Sequence, residues 1–131
     1  GHFRNLVVAA TGTGKTVISA FDYRRFRSEN AGKPCRLLFV AHRKEILEQS
    51  IKCFRGVLHD PNFGELFVGE HRPDSLDNLF VSVQTLNSRA LTEAVSEDFY
   101  DFIIVDEFHH AAAPTYQQLL NYFKPRTYRN A

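Results

Sequence analysis

The segment Ala9-Ala10-Thr11-Gly12-Thr13-Gly14-Lys15-Thr16 constrains the fold more than any other stretch of this 131-residue chain. It follows the apolar run Leu6-Val7-Val8 and precedes a stretch of helical character from Lys15 to about Arg27. A strand, a glycine turn and a helix in that order form a cradle for phosphate groups. Gly12 and Gly14 let the backbone fold tightly and bring N–H groups within reach of an anion. The helix that starts near Lys15 points its positive end at the same place. Lys15 supplies a point charge for β- and γ-phosphates, and the Thr16 hydroxyl can ligate Mg²⁺. Thr11, Gly12, Thr13, Gly14, Lys15 and Thr16 are therefore candidate ATP-binding residues, although Ala9 stands where the phosphate-loop pattern usually has its first glycine. The competing reading is a glycine turn with an incidental lysine, and the flanking strand and helix weigh against it.

The rest of the chain alternates strand and helix, which predicts an α/β fold with a parallel sheet covered on both faces. Strands are expected at Asn5–Ala9, Arg36–Ala41, Leu66–Val68, Leu79–Val83 and Phe102–Val105. In the first helix Val17, Ala20 and Phe21 are the expected apolar face. In the second, from Arg43 to Leu58, the stripe is Leu47, Ile51, Phe54 and Leu58. Helical stretches are also expected at Arg89–Ser96 and after Pro114, where Tyr116, Leu119, Leu120 and Phe123 form a stripe. No repeat or linker divides the chain, so residues 1–131 are expected to be one domain.

The most apolar run, Ile103-Ile104-Val105, leads directly into Asp106-Glu107. Ligands of open α/β sheets bind outside the carboxyl ends of the strands. In a parallel sheet, the glycine turn and these two acids then share one edge. Asp106 is a candidate Mg²⁺ ligand beside Thr16, and Glu107 is a candidate base for an attacking water. A solvated turn is the alternative for two adjacent acids. His109 and His110 could be a metal pair or polar packing residues, but no carboxylate or cysteine stands at a supporting spacing.

A net charge of +1 excludes a protein that grips nucleic acid over a broad basic face. Arg24, Arg25 and Arg27 form the densest basic cluster. A solvated helix side is the main reading for it, with phosphate contact as the alternative. Cys35 and Cys53 fit no metal spacing and suit a reducing, cytoplasmic setting. No apolar run is long enough to span a membrane, so no membrane partner is expected. The chain begins at a strand-like segment with no signal sequence, which suggests a piece of something longer.

Asp106-Glu107-Phe108-His109 resembles the DExH box of superfamily 2 helicases and translocases, and the glycine-rich segment resembles their motif I. Val40-Ala41-His42-Arg43 is similar to motif Ia, and Ser82-Val83-Gln84-Thr85-Leu86 to the motif that follows it. The string from Asp106 to Ala111, followed by Ala113-Pro114-Thr115-Tyr116, is similar to bacterial DNA-directed members akin to type III restriction motor subunits. The resemblance covers nearly the whole chain. It implies a three-layer RecA-like P-loop NTPase domain, the first motor domain of a longer protein. It also implies MgATP on Lys15, Thr16 and Asp106, with Glu107 as the base. His109 would relay nucleotide state to the nucleic acid and to a second RecA-like domain. Arg43, Gln84 and Thr85 would lie along a sugar-phosphate backbone, with DNA favoured over RNA. A helix start and a cap remain the alternative for Arg43 and Thr85.

The adenine-contacting segment, the Ser/Thr-Ala-Thr motif and the second domain of that superfamily have no counterpart here. The strand bearing the Ser/Thr-Ala-Thr motif lies between the P-loop strand and the DExH strand in the family. The resemblance therefore predicts either a gap at that position, or its filling by residues near Arg126–Asn130 or by a neighbouring molecule. Two other function classes remain open. One is a P-loop ATPase of another kind, such as a transporter subunit. The other is a non-catalytic module that keeps nucleotide as a structural ligand.

Overall fold

The computed structural model describes residues 5–9, 13–69, 73–82, 84–85, 99–106 and 127–130, with 5–9, 13–15, 106 and 127–130 described by their backbone alone. The elements are β1 (Asn5–Ala9), α1 (Thr13–Glu29), β2 (Leu37–Ala41), α2 (Lys44–Leu58), β3 (Glu65–Phe67), β4 (Asn78–Ser82), β5 (Phe102–Asp106) and β6 (Thr127–Asn130). The six strands form one sheet in the order β3-β4-β2-β5-β1-β6, and every pairing is parallel. The expected α/β class holds, and the strand boundaries differ from expectation by about one residue. The expected helices at 89–96 and after 114 lie outside the described residues.

The central strands are apolar at consecutive positions because both sheet faces are buried. Leu37, Phe39 and Ala41 of β2, Phe80 of β4, and Phe102 and Ile104 of β5 join one core with residues of α1 and α2. Their neighbours on the opposite face, Leu38, Val40, Leu79, Val81, Ile103 and Val105, are buried as well. Phe54 of α2 is the hub of the core, with ring contacts to Tyr23, Phe39, Phe63 and Phe80 at 5.4–6.3 Å between centroids.

α2 follows its predicted stripe closely. Leu47, Ile51 and Phe54 are buried, and Leu58 packs half-buried at the end. The helix stops at His59, whose N–H reaches the carbonyls of Arg55 and Gly56 and whose left-handed backbone (φ 55°) turns the next N–H, that of Asp60, back to the Arg55 carbonyl. Arg55 turns back from the same end. Its Nε donates to the Phe63 carbonyl at 2.7 Å and its Nη2 to that of Gly64 at 3.2 Å, which ties the following loop to the helix.

Two expectations are corrected. The first concerns α1. Its buried face is Ser19, Ala20, Tyr23 and Phe26, whereas Val17 and Phe21, expected inside with Ala20, are 37% and 51% exposed. The aromatic side chains decide this. Tyr23 packs on Phe54, Phe63 and Phe102, and Phe26 on Phe102, so the helix is rotated to bury those rings.

The second concerns strand order. β1 and β5 are direct neighbours, paired over all five residues, with no gap and no strand between them. Residues 127–130 do form a strand, but β6 pairs with the other edge of β1. Two apolar runs of equal length satisfy each other's backbone groups directly, and β6 then covers the edge of β1 that remains.

Candidate functional site at the carboxyl edge of the sheet

Parallel strands run to one edge, so the carboxyl ends of β1, β2, β4 and β5 lie there. Across that edge the order is β4, β2, β5, β1. Neighbouring strands are about 4.8 Å apart, so β4 and β1 are separated by roughly 14 Å. The candidate phosphate and metal residues belong to the β5–β1 half, and Arg43, Gln84 and Thr85 to the β2–β4 half.

In the first half, Ala9 at the end of β1 stands level with Asp106 at the end of β5. α1 begins at Thr13, two residues earlier than expected. Its first three residues are therefore Thr13, Gly14 and Lys15, the positions whose N–H groups have no partner within a helix. Three such donors at a positive helix end, close after the end of a strand, suit an anion with several oxygens. Thr16 is half-buried. The hard oxygen donors of Thr16 and Asp106 are of the type Mg²⁺ takes. Thr11, Gly12, Glu107, His109 and His110 lie outside the described residues. So do the side chains of Lys15 and Asp106, and with them the expected Thr16–Asp106 separation across one metal ion.

In the second half, Ala41 at the end of β2 pairs with Ser82 at the end of β4. Arg43 is the N-cap of α2 with extended backbone (φ −104°, ψ 138°), and its exposed side chain makes no capping bond. Thr85 is buried. Its N–H donates to Ser82 Oγ at 3.1 Å, and the Ser82 hydroxyl donates back to Thr85 Oγ1 at 2.8 Å. Ser82 Oγ is thus the capping acceptor, and Thr85 is the residue whose N–H it caps. Gln84 between them is exposed, and its amide nitrogen lies 3.2 Å and 3.3 Å from the two ring nitrogens of His42. His42 stands in the string similar to motif Ia, but the sequence assigns it no role of its own. Seeing it requires knowing that β2 and β4 are neighbours, which chain order does not reveal.

Two concavities of about 490 and 620 Å³ open at the opposite, amino edge of the sheet. Their charged lining is engaged in structure. Arg36 pairs with Asp77 at 3.4 Å and stands over the Phe99 ring, and Arg55 holds the loop carbonyls already described. Arg24, Arg25 and Arg27 behave as a solvated helix side. All three are exposed, Arg25 pairs with Asp22 at 3.3 Å, and Arg27 lies over the rings of Tyr23 and Phe63. Cys35 and Cys53 are free thiols, and burial pushes both up from the ordinary thiol range, with Asp101 adding to the effect at Cys35. Among the described residues no three His, Cys, Asp or Glu side chains converge as a metal cluster, and no helix is long and apolar enough to cross a membrane.

Comparison with known proteins adds an independent line. The family model described as the type III restriction enzyme res subunit matches residues 1–128. A Saccharomyces cerevisiae protein named as an ATP-dependent helicase, IRC3, is 31% identical, over 92% of this chain and 18% of its own length. A Schizosaccharomyces pombe protein named as a mitochondrial ATP-dependent helicase, irc3, is 30% identical, over 94% of this chain and 20% of its own. The chain thus spans about a fifth of the length of these relatives.

Proposed function

The chain belongs to the family of the type III restriction enzyme res subunit, and from that premise we propose that it is the ATP-binding first motor domain of a nucleic-acid helicase or translocase. The observation that carries the proposal is the pairing of β1 beside β5 with Ala9 level with Asp106. It brings the start of α1 and the end of the most apolar strand to one edge, as nucleotide hydrolysis with a shared metal ion requires.

In this reading Thr11 to Thr16 wrap the phosphates of ATP, and Lys15 faces the β- and γ-phosphates. Thr16 and Asp106 hold Mg²⁺, which when bound would neutralise charge on the phosphate oxygens. Glu107 takes a proton from water as the water oxygen bonds to the γ-phosphorus and the bond to the ADP oxygen breaks. His109 carries the nucleotide state toward the nucleic acid and a second RecA-like domain of the full-length protein. Arg43 and Gln84 touch the sugar-phosphate backbone of one strand, DNA in preference to RNA, while Thr85 secures the turn beneath them. Such contacts position a strand without reading its sequence. Residues 1–131 are then one domain of a longer chain that works in the cytoplasm.

The test is steady-state ATP hydrolysis by the full-length protein, with and without single-stranded DNA or RNA. Nucleic acid should raise the rate, DNA more than RNA. Glu107→Gln should keep ATP binding and abolish turnover. The 131-residue chain alone should hydrolyse ATP poorly, because an arginine finger contributes about 10³–10⁵ in rate and the family supplies it from the second domain. A rate indifferent to nucleic acid in the full-length protein would leave an ATPase of another kind. Tight ATP binding without turnover would leave a structural nucleotide module.

A further inference from the structure

The His42–Gln84 contact joins two side chains that each follow the end of a strand, one residue beyond β2 and two beyond β4. The backbone under Gln84 is fixed by the reciprocal Ser82–Thr85 bonds. The Gln84 side chain itself is exposed, and a free glutamine has several rotatable bonds to immobilise before it can hold anything. The imidazole does that work in advance. A hydrogen bond between two solvent-facing groups contributes little to folding, so its consequence lies in where it leaves the amide. The Gln84 NH₂ has two hydrogens. Nearly equidistant from the two ring nitrogens, the amide nitrogen rests over the face of the His42 ring, which leaves an N–H free to donate outward. A phosphate oxygen, which only accepts, is the matching group. Arg43 follows His42 directly in the chain, so a cation and this amide both stand at the carboxyl ends of the adjacent strands β2 and β4.

We propose that His42 is a positioning residue that holds Gln84 in the conformation that donates to a phosphate of a bound single strand, next to Arg43. This rests on the reading above in which Gln84 and Arg43 touch nucleic acid. His42 itself touches no phosphate in this arrangement. Its effect passes through Gln84.

The experiment is a double-mutant cycle in the full-length protein, reading Kd for a fluorescein-labelled single-stranded thymidine oligonucleotide by anisotropy at several salt concentrations. His42→Ala and Gln84→Ala should each weaken binding by about 3- to 10-fold, the size of one hydrogen bond. The double variant should lose no more than the worse single, because coupled residues do not add. His42→Phe, which keeps a flat ring under the Gln84 amide, should restore Kd to within about 2-fold of the unsubstituted protein, provided Gln84 is intact. Arg43→Ala should lower the slope of log K against log salt by about 1, whereas His42→Ala should leave that slope unchanged. Additive losses in the double variant, or His42→Phe as weak as His42→Ala, overturn the proposal while Gln84 keeps its contact. If Gln84→Ala and Arg43→Ala both bind as the unsubstituted protein does, the nucleic-acid reading of this edge fails first, and the role of His42 falls with it.

Discussion

Ala9 and Asp106, the last residues of β1 and β5, are direct partners in one parallel ladder. Neighbouring strands lie about 4.8 Å apart, so β1 and β5 end side by side at one edge of the sheet. α1 begins at Thr13, four residues after Ala9, so its first turn follows closely on the end of β1.

Lys15 is the cation in that first turn, and a charge-assisted bond is typically worth about 1.5–3 kcal/mol. Lys15→Ala is therefore expected to raise the Kd for MgATP by roughly 10- to 150-fold. Isothermal titration with MgATP and MgADP checks the assignment. With Lys15 placed at the β- and γ-phosphates as proposed, the loss should be larger for the triphosphate. Equal losses for the two nucleotides would place Lys15 elsewhere.

The β1–turn–α1 unit and β5 with its terminal acid were legible in the sequence because each combines a continuous apolar run with a local chemical signature. α2 was legible from the spacing of Leu47, Ile51 and Phe54. The buried face of α1 was not, because its apolar residues surround much of the helix. The choice between burying Phe21 and burying Tyr23 and Phe26 depends on rings contributed by Phe54, Phe63 and Phe102, far away in sequence. Strand order was equally hidden. An apolar run states that a strand is buried, not which strand lies beside it, so the pairing of β1 with β5 and the contact of His42 with Gln84 appear only in three dimensions.

The rotation of α1 makes a stability prediction with two arms. Phe54 is fully buried against four other rings, so Phe54→Ala is expected to cost about 3–5 kcal/mol. Phe21→Ala, at a ring 51% exposed, should cost within about 0.5 kcal/mol. Urea unfolding of both variants measures the difference. A Phe21→Ala loss as large as that of Phe54→Ala would contradict the orientation of the helix.

Gly64 and Gly32 both have positive φ, 76° and 86°, but their surroundings differ. A Cβ at Gly64 would stand 2.7 Å from a ring carbon of Phe80, whereas nothing lies within 4 Å at Gly32. Phe80 cannot withdraw, because it is fully buried, stacked on Phe39 and packed edge-on against Phe54 and Phe63. Gly32→Ala should cost only the backbone strain, about 1–2 kcal/mol. Gly64→Ala should add about 1–3 kcal/mol of overpacking. Equal melting points for the two variants would show that the loop at Gly64 yields instead of the ring.

Tyr23 and Tyr100 supply a pH dependence whose sign follows from burial. Both phenols are fully enclosed, and burial pushes each above its ordinary value of 10.0. Each donates a hydrogen bond as the neutral phenol, Tyr23 to the Cys35 carbonyl and Tyr100 to that of Leu76. Below pH 10 both folded and unfolded chains keep these protons, and the stabilisation is complete. Above it the unfolded phenols ionise while the folded ones do not, so the unfolded state binds fewer protons and stability falls as pH rises. Each tyrosine should contribute a slope of about 1.4 kcal/mol per pH unit beyond that point. Tyr23→Phe removes one of the two. It should be less stable near neutral pH by about 1 kcal/mol, through the lost bond to Cys35, yet lose stability less steeply at alkaline pH. Urea unfolding at about pH 8 and about pH 11 checks this. The gap between Tyr23→Phe and the unsubstituted chain should narrow or reverse as pH rises, and a constant gap would mean that the Tyr23 phenol titrates alike in both states.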